Sequence, residues 1–104
     1  MDNMEIDLNA AKSGKLNEGF LRSFGYQIEY MLKKMFGLHG GDVKITGTDP
    51  QIRAFAAAMA GEKSYIDSYN KHGLGNKSTF QSKWQLDQSI RKFESETGLK
   101  WPLK

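Results

Sequence analysis

Two imidazoles, His39 and His72, and one mixed polar stretch, Glu62, Lys63, Tyr65, Asp67, Lys71 and His72, hold the side chains suited to acid–base or metal chemistry. The two histidines are far apart in sequence, His72 has no carboxylate three or four residues away, and His39, three before Asp42, lies among glycines and not on a helix face, so the arrangement that a zinc or two-metal centre needs is missing. Glu62 and Lys63 are adjacent and point different ways on a helix, and Asp67 and Lys71 have the i, i+4 spacing of a simple ion pair. Gly37, Gly40 and Gly41 surround His39, which reads as a turn between a helix and a strand. The chain holds no Gly-x-Gly-x-x-Gly fingerprint, no P-loop and no nucleophile elbow. With no cysteine it has neither a disulfide nor a thiolate ligand or nucleophile. The expectation is a non-enzyme with no catalytic residue, no metal and no cofactor.

Binding chemistry is better represented. Phe80 and Trp84 lie one helical turn apart, among Lys77, Thr79, Lys83 and Arg91, and together these form the first candidate surface. Rings beside cations suit stacking on single-stranded bases, and they equally suit anchoring of a protein partner. The competing structural reading packs both rings beneath the first helix. A second candidate patch joins Arg22, Tyr26, Tyr30 and Lys33, in which the tyrosines would otherwise cover the rim of the core.

The elements that must position these groups are read from periodicity and punctuation. Met4, Ile6 and Leu8 alternate with acids, so residues 1–12 are either flexible or a short edge strand. A helix is expected from about Asn17, its cap, to Phe36, with Leu16 and Leu21 at the spacing of a hydrophobic staple. Phe20, Leu21, Phe24, Ile28, Met31, Leu32 and Met35 form its inner stripe. Gly19 and Gly25 within it signal close packing or a kink. Val43 and Ile45 alternate with Lys44 and Thr46 as a strand that Gly47 ends.

Asp49 is then expected to cap a second helix with Pro50 at its first position. That helix carries Ile52, Phe55, Met59, Ile66 and Tyr69, and an alanine-rich face of Ala54, Ala56, Ala57, Ala58 and Ala60. Gly61, Glu62 and Lys63 interrupt its apolar seam, either as a solvated kink or as a polar site at a groove rim. A third helix is expected from Ser78, capped reciprocally with Gln81, with Leu86, Ile90, Phe93 and Thr97 inward. The pairs Gly37-Leu38, Gly73-Leu74 and Gly98-Leu99 each close a helix, glycine taking the left-handed turn and leucine folding back. The tail from Leu99 to Leu103 alternates like an edge strand, with Trp101 placed to seal the core or to pair with another subunit.

These elements define a mainly helical α+β domain spanning residues 1–104, with three helices, one or two short strands and an ordered C-terminal tail. A hydrophobic content of 38% suffices for one core at this length. The start lacks the basic and apolar regions of a secretory signal, and no apolar run approaches the ~20 residues of a membrane span, so a soluble cytoplasmic protein without a membrane role is expected. Net charge is only +3, but from Lys71 onward seven basic residues face three acidic ones. Phosphate contacts would be sought there.

Two resemblances bear on function. Residues 62–97, with Gly73 and Leu74 at the turn and Lys77, Ser78, Thr79, Gln81 and Lys83 opening the next helix, resemble a helix-turn-helix, although Tyr69 replaces the usual small residue and the turn is long. That resemblance implies DNA or RNA binding through the third helix. Residues 43–104, through Lys71-His72-Gly73-Leu74 and Thr97-Gly98-Leu99-Lys100-Trp101-Pro102, resemble small uncharacterised proteins of tailed bacteriophages. This implies a setting in the host cytoplasm or the virion, without an active site to carry over. The functional expectation is an accessory or structural protein that acts through protein contacts or self-association, including a homo-oligomer built on the alanine face or the tail edge. The alternative is nucleic-acid binding.

Overall fold

A computed structural model describes residues 4–14, 16–38 and 42–103. Strand β1 (Met4–Asp7) is followed by helix α1 (Glu18–Met35), strand β2 (Val43–Thr46), helix α2 (Asp49–His72) and helix α3 (Lys77–Thr97). The N-terminal alternation therefore becomes a strand, and three helices dominate as expected. The two strands are parallel, pairing Met4 with Val43 through Asp7 with Thr46. A parallel pair needs a long crossover, and α1 supplies it. Thr46 Oγ1 donates to Glu5 Oε2 at 2.7 Å across the pair, and Gln27 Nε2 donates to the Glu5 carbonyl at 2.8 Å, tying α1 to β1.

Caps decide where the helices begin. Asn17 Oδ1 accepts from the Phe20 amide at 2.8 Å, as its position predicts. For α2 the cap is Thr48, one residue before the expected Asp49. The Gln51 amide donates to Thr48 Oγ1, and Gln51 Oε1 accepts from the Thr48 amide at 2.7 Å, so the capping box lies here. Gly47 is required for space, since a Cβ would stand 2.8 Å from Gln51 Oε1 and 3.1 Å from Leu8 Cβ. For α3 the cap is Asn76, whose Oδ1 accepts from the Ser78 amide, and not Ser78 with Gln81. In each case the true cap has an extended backbone that leaves its side chain free to reach the first turn.

Gly37, Gly73 and Gly98 all have positive φ, but only Gly98 is shown in the expected left-handed turn, with ψ 5°; Gly73, with ψ 177°, leads the chain away from α2. Only Leu99 then folds into the core; Leu38 and Leu74 stay exposed. Side-chain bonds around Leu99 make the difference. Thr97 Oγ1 accepts from the Leu99 amide, and Glu94 Oε2 accepts from the Trp101 amide at 2.8 Å, so the tail is pulled back along α3. It is not a strand; residues 102 and 103 form a turn, which removes the edge that would have paired with another subunit.

Helices α2 and α3 share the most extensive contact and run antiparallel. Phe55 meets Phe93 with ring centroids 6.1 Å apart, Gly61 lies under Leu86, and Ser68 Oγ stands 3.0 Å from Ser82 Oγ. A Cβ on Gly61 would sit 3.3 Å from Leu86 Cα, so this glycine admits the neighbouring backbone. Residues 62–97 consequently form a helical hairpin packed along its length. A helix-turn-helix instead crosses its helices at about 90–120° to free the second one for a groove.

The core gathers one ring from each helix and one from the tail. Phe93 stacks on Phe24 at 6.2 Å, tilts against Phe55 and receives Trp101 edge-on at 5.0 Å. Ile6, Leu8, Ile28, Met59, Leu86 and Ile90 complete it. Leu21, placed in the inner stripe of α1 by its angle, is exposed, as is Tyr69 on α2. Ala54 and Ala58 are buried, whereas Ala56, Ala57 and Ala60 face solvent, so the alanine surface is divided between the core and the outside.

Candidate functional site

The polar stretch first considered for chemistry resolves into structure. Glu62 is buried in the middle of α2, where Trp101 Nε1 donates to its Oε2 at 2.6 Å. The segment is therefore neither a solvated kink nor a rim site. Burial pushes the Glu62 carboxyl above its ordinary value, a nearby Asp87 adds to this, and the Trp101 bond and Lys83 oppose it. Asp67 pairs with Lys63 at 3.1 Å and not with Lys71, and Lys63 Nζ also lies 5.0 Å from the centre of the Phe36 ring. His72 is exposed at the end of α2. His39, Gly40 and Gly41 lie outside the described residues. Among the described residues no cluster of three or more metal-ligating side chains occurs, and no helix is long and apolar enough to cross a membrane.

The most distinctive surface is the outward face of α3. At 100° per residue, Lys77, Phe80, Trp84, Gln88 and Arg91 fall within an arc of about 80°. Thr79, Leu86, Ile90, Phe93 and Thr97, all buried, occupy the opposite side. Phe80 is 72% exposed and Trp84 65% exposed. This overturns the reading in which both rings pack beneath α1; Trp101, from the tail, fills the core instead. Thr79 leaves the outward face, because it is only 2% exposed. Its hydroxyl has no hydrogen-bond partner among the described residues.

Phe80 stands between two depressions. A shallow groove of about 470 Å³ is lined by Lys77, Phe80, Gln81, Trp84 and Gln85. On the other side a cleft of about 210 Å³ is lined by Tyr65, Leu74, Thr79, Phe80 and Lys83. Lys83 Nζ is 3.5 Å from Asp87 and 5.9 Å from the centre of the Tyr65 ring, so its charge is already engaged. Among the described residues neither Lys77 nor Arg91 has an ion-pair partner. Tyr65 and Leu74 were not singled out for binding from sequence. Leu74 comes after the helix-ending Gly73, a position that favours folding back onto the helix, and only the path of the turn leaves it at the cleft.

The second patch is looser. Arg22 is paired with Glu18 at 3.3 Å, Tyr26 projects into solvent at 64% exposure, and Tyr30 is half-buried with its ring 6.5 Å from that of Tyr26. Lys33 is exposed at the far end. The structure brings these residues onto one side of α1 but divides them between solvent and rim.

Comparison with protein-family models, curated proteins and solved structures finds no match to this chain.

Proposed function

We propose that the protein is a non-catalytic binding protein that acts through protein–protein contacts, with the outward face of α3 as its contact surface. The observation that carries this reading is the exposure of Phe80 and Trp84 on a helix whose opposite side is committed to the core. Leaving rings of this size in water forgoes roughly 1.5–3 kcal/mol of burial for each. Trp, Tyr, Phe and Arg side chains are the usual anchors of interfaces, and clustered exposed apolar groups mark such sites. The resemblance carried by residues 71–74 and 97–102 supports a setting as an accessory or structural protein of a tailed bacteriophage, in the host cytoplasm or the virion.

Nucleic-acid binding is the second reading. It is favoured by Lys77 and Arg91, which flank the rings without ion-pair partners among the described residues. Bases would stack on Phe80 and Trp84 while the cations met phosphates.

Selection of a displayed random-peptide library on the immobilised protein tests the first reading, with the double variant Phe80→Ser/Trp84→Ser as the control. Enrichment on the wild type and not on the variant supports it. Equal enrichment on both, or none on either, contradicts it.

A further inference from the structure

We infer that the partner of the α3 face is an acidic protein segment bearing a bulky apolar side chain. This rests on the reading of that face as the binding surface and adds the chemistry of what it takes. Lys77 and Arg91 close the two ends of the face, 14 residues and thus about 21 Å apart along the axis. Phe80 and Trp84 lie between them with the amide Gln88, and Gln81 and Asp87 border the face on its two sides. The nearest carboxylate on α3, Asp87, is turned aside to Lys83.

Charge excludes a second copy of the chain as the natural occupant. Paired in parallel, the faces would set Lys77 against Lys77 and Arg91 against Arg91. Paired antiparallel about Trp84, they would set Lys77 against Arg91. Either way like charges meet across an interface, which penalises the wrong partner. A segment with carboxylates at that spacing satisfies both ends.

The cleft beside Phe80 supplies the other half of the specificity. Its volume of about 210 Å³ suits one large side chain, and its walls are Tyr65, Leu74 and Phe80, with Thr79 and Lys83. The anchor is therefore an apolar residue, Leu- to Trp-sized, flanked by acids. A single-stranded nucleic acid is less well served. Two unpaired cations are few beside the 6–10 phosphate contacts, in round numbers, that give nucleic-acid binders their strong salt dependence.

The test reads the sequences enriched by the peptide selection and titrates the best of them against the wild type, Lys77→Glu/Arg91→Glu and Phe80→Ser/Trp84→Ser, with the oligonucleotide d(T)20 in a parallel arm. The expected result is enriched peptides with an acidic excess around a large apolar residue, bound about tenfold or more weakly by the charge-reversed variant and progressively less tightly as salt rises. Circular dichroism confirms that each variant is folded. Peptides that need Phe80 and Trp84 but are neutral or basic, or that ignore the charge reversal, overturn this inference and leave the binding face standing. Enrichment indifferent to the loss of both rings overturns the two together. Tighter binding of d(T)20 than of any selected peptide by the wild type, lost with the rings, transfers the face to nucleic acid.

Discussion

The indole Nε1 of Trp101 donates a 2.6 Å hydrogen bond to Oε2 of Glu62, fastening the C-terminal tail to the middle of α2. Glu62 is the one ionisable side chain among the buried described residues. Trp101→Phe keeps a ring against Phe93 and Phe55 but strands the carboxylate. The expected cost is about 1–3 kcal/mol, the penalty for a buried polar group without its partner. Urea denaturation at neutral pH measures it, and an unchanged midpoint would show that the bond contributes nothing.

The same carboxyl sets a pH dependence. Burial raises its pKa above the ordinary 4.5, so the folded state holds the proton more tightly than the unfolded chain does. Its contribution to stability is fully present below 4.5 and is lost as pH rises through the raised folded value. Glu62→Gln keeps an acceptor for Trp101 and abolishes the titration. The stability of this variant relative to wild type is expected to be higher at pH 7.5 than at pH 4.5. The opposite trend in paired denaturation curves would contradict the assignment.

Two helix-interior glycines should respond oppositely. A Cβ on Gly25 would rest 3.7 Å from Pro102 Cβ, an ordinary contact, so Gly25→Ala is expected to stabilise by about 0.5–1 kcal/mol through helix propensity. On Gly61 the Cβ would meet Leu86 Cδ1 at 3.2 Å and Leu86 Cα at 3.3 Å, and a backbone atom in a packed hairpin cannot step aside. Gly61→Val, whose branches deepen the collision, is expected to destabilise by roughly 1–3 kcal/mol. Thermal melts of the two variants on opposite sides of wild type would verify both.

The start of α2 offers a choice between adjacent residues. Thr48→Ala removes the side-chain acceptor for the Gln51 amide and should cost about 1 kcal/mol. Asp49→Ala removes only a charge near the positive end of the helix and should cost ~0.3–1 kcal/mol, less as salt is added. Equal losses, both screened by salt, would return the cap to Asp49.

How much of this was legible in the sequence depended on whether the deciding contact was local. Periodicity placed Leu86, Ile90, Phe93 and Thr97 inside α3, and the glycines of positive φ placed the helix ends, because both signals act within one or two turns. Thr48 and Asp49 are both good caps, and only the reciprocal bond with Gln51 separates them. Glu62 read as part of a solvated kink or of a polar site at a groove rim because its partner, Trp101, is 39 residues away. The same distance hid the exchange of rings: Trp101 occupies the core, which leaves Trp84 outside. The candidate surface was thus found by residue type, Phe80 and Trp84 beside Lys77 and Arg91. Its cleft, with Tyr65 and Leu74, arose only from the packing of α2 on α3.

Exposed rings should carry binding and little stability. Phe80→Ser and Trp84→Ser are each expected to shift the denaturation free energy by no more than about 0.5 kcal/mol, as surface substitutions do. A loss of several kcal/mol would place the rings in the core.

Acrylamide quenching of tryptophan fluorescence, with Trp84→Phe to isolate the buried Trp101, tests the central claim most directly. In the free protein Trp84 should be freely quenched and Trp101 protected, and saturation with a peptide selected on the wild type should shield Trp84 as well. A Trp84 already protected in the free protein, or one still fully quenched when the peptide is bound, would contradict the assignment of the α3 face as the binding surface.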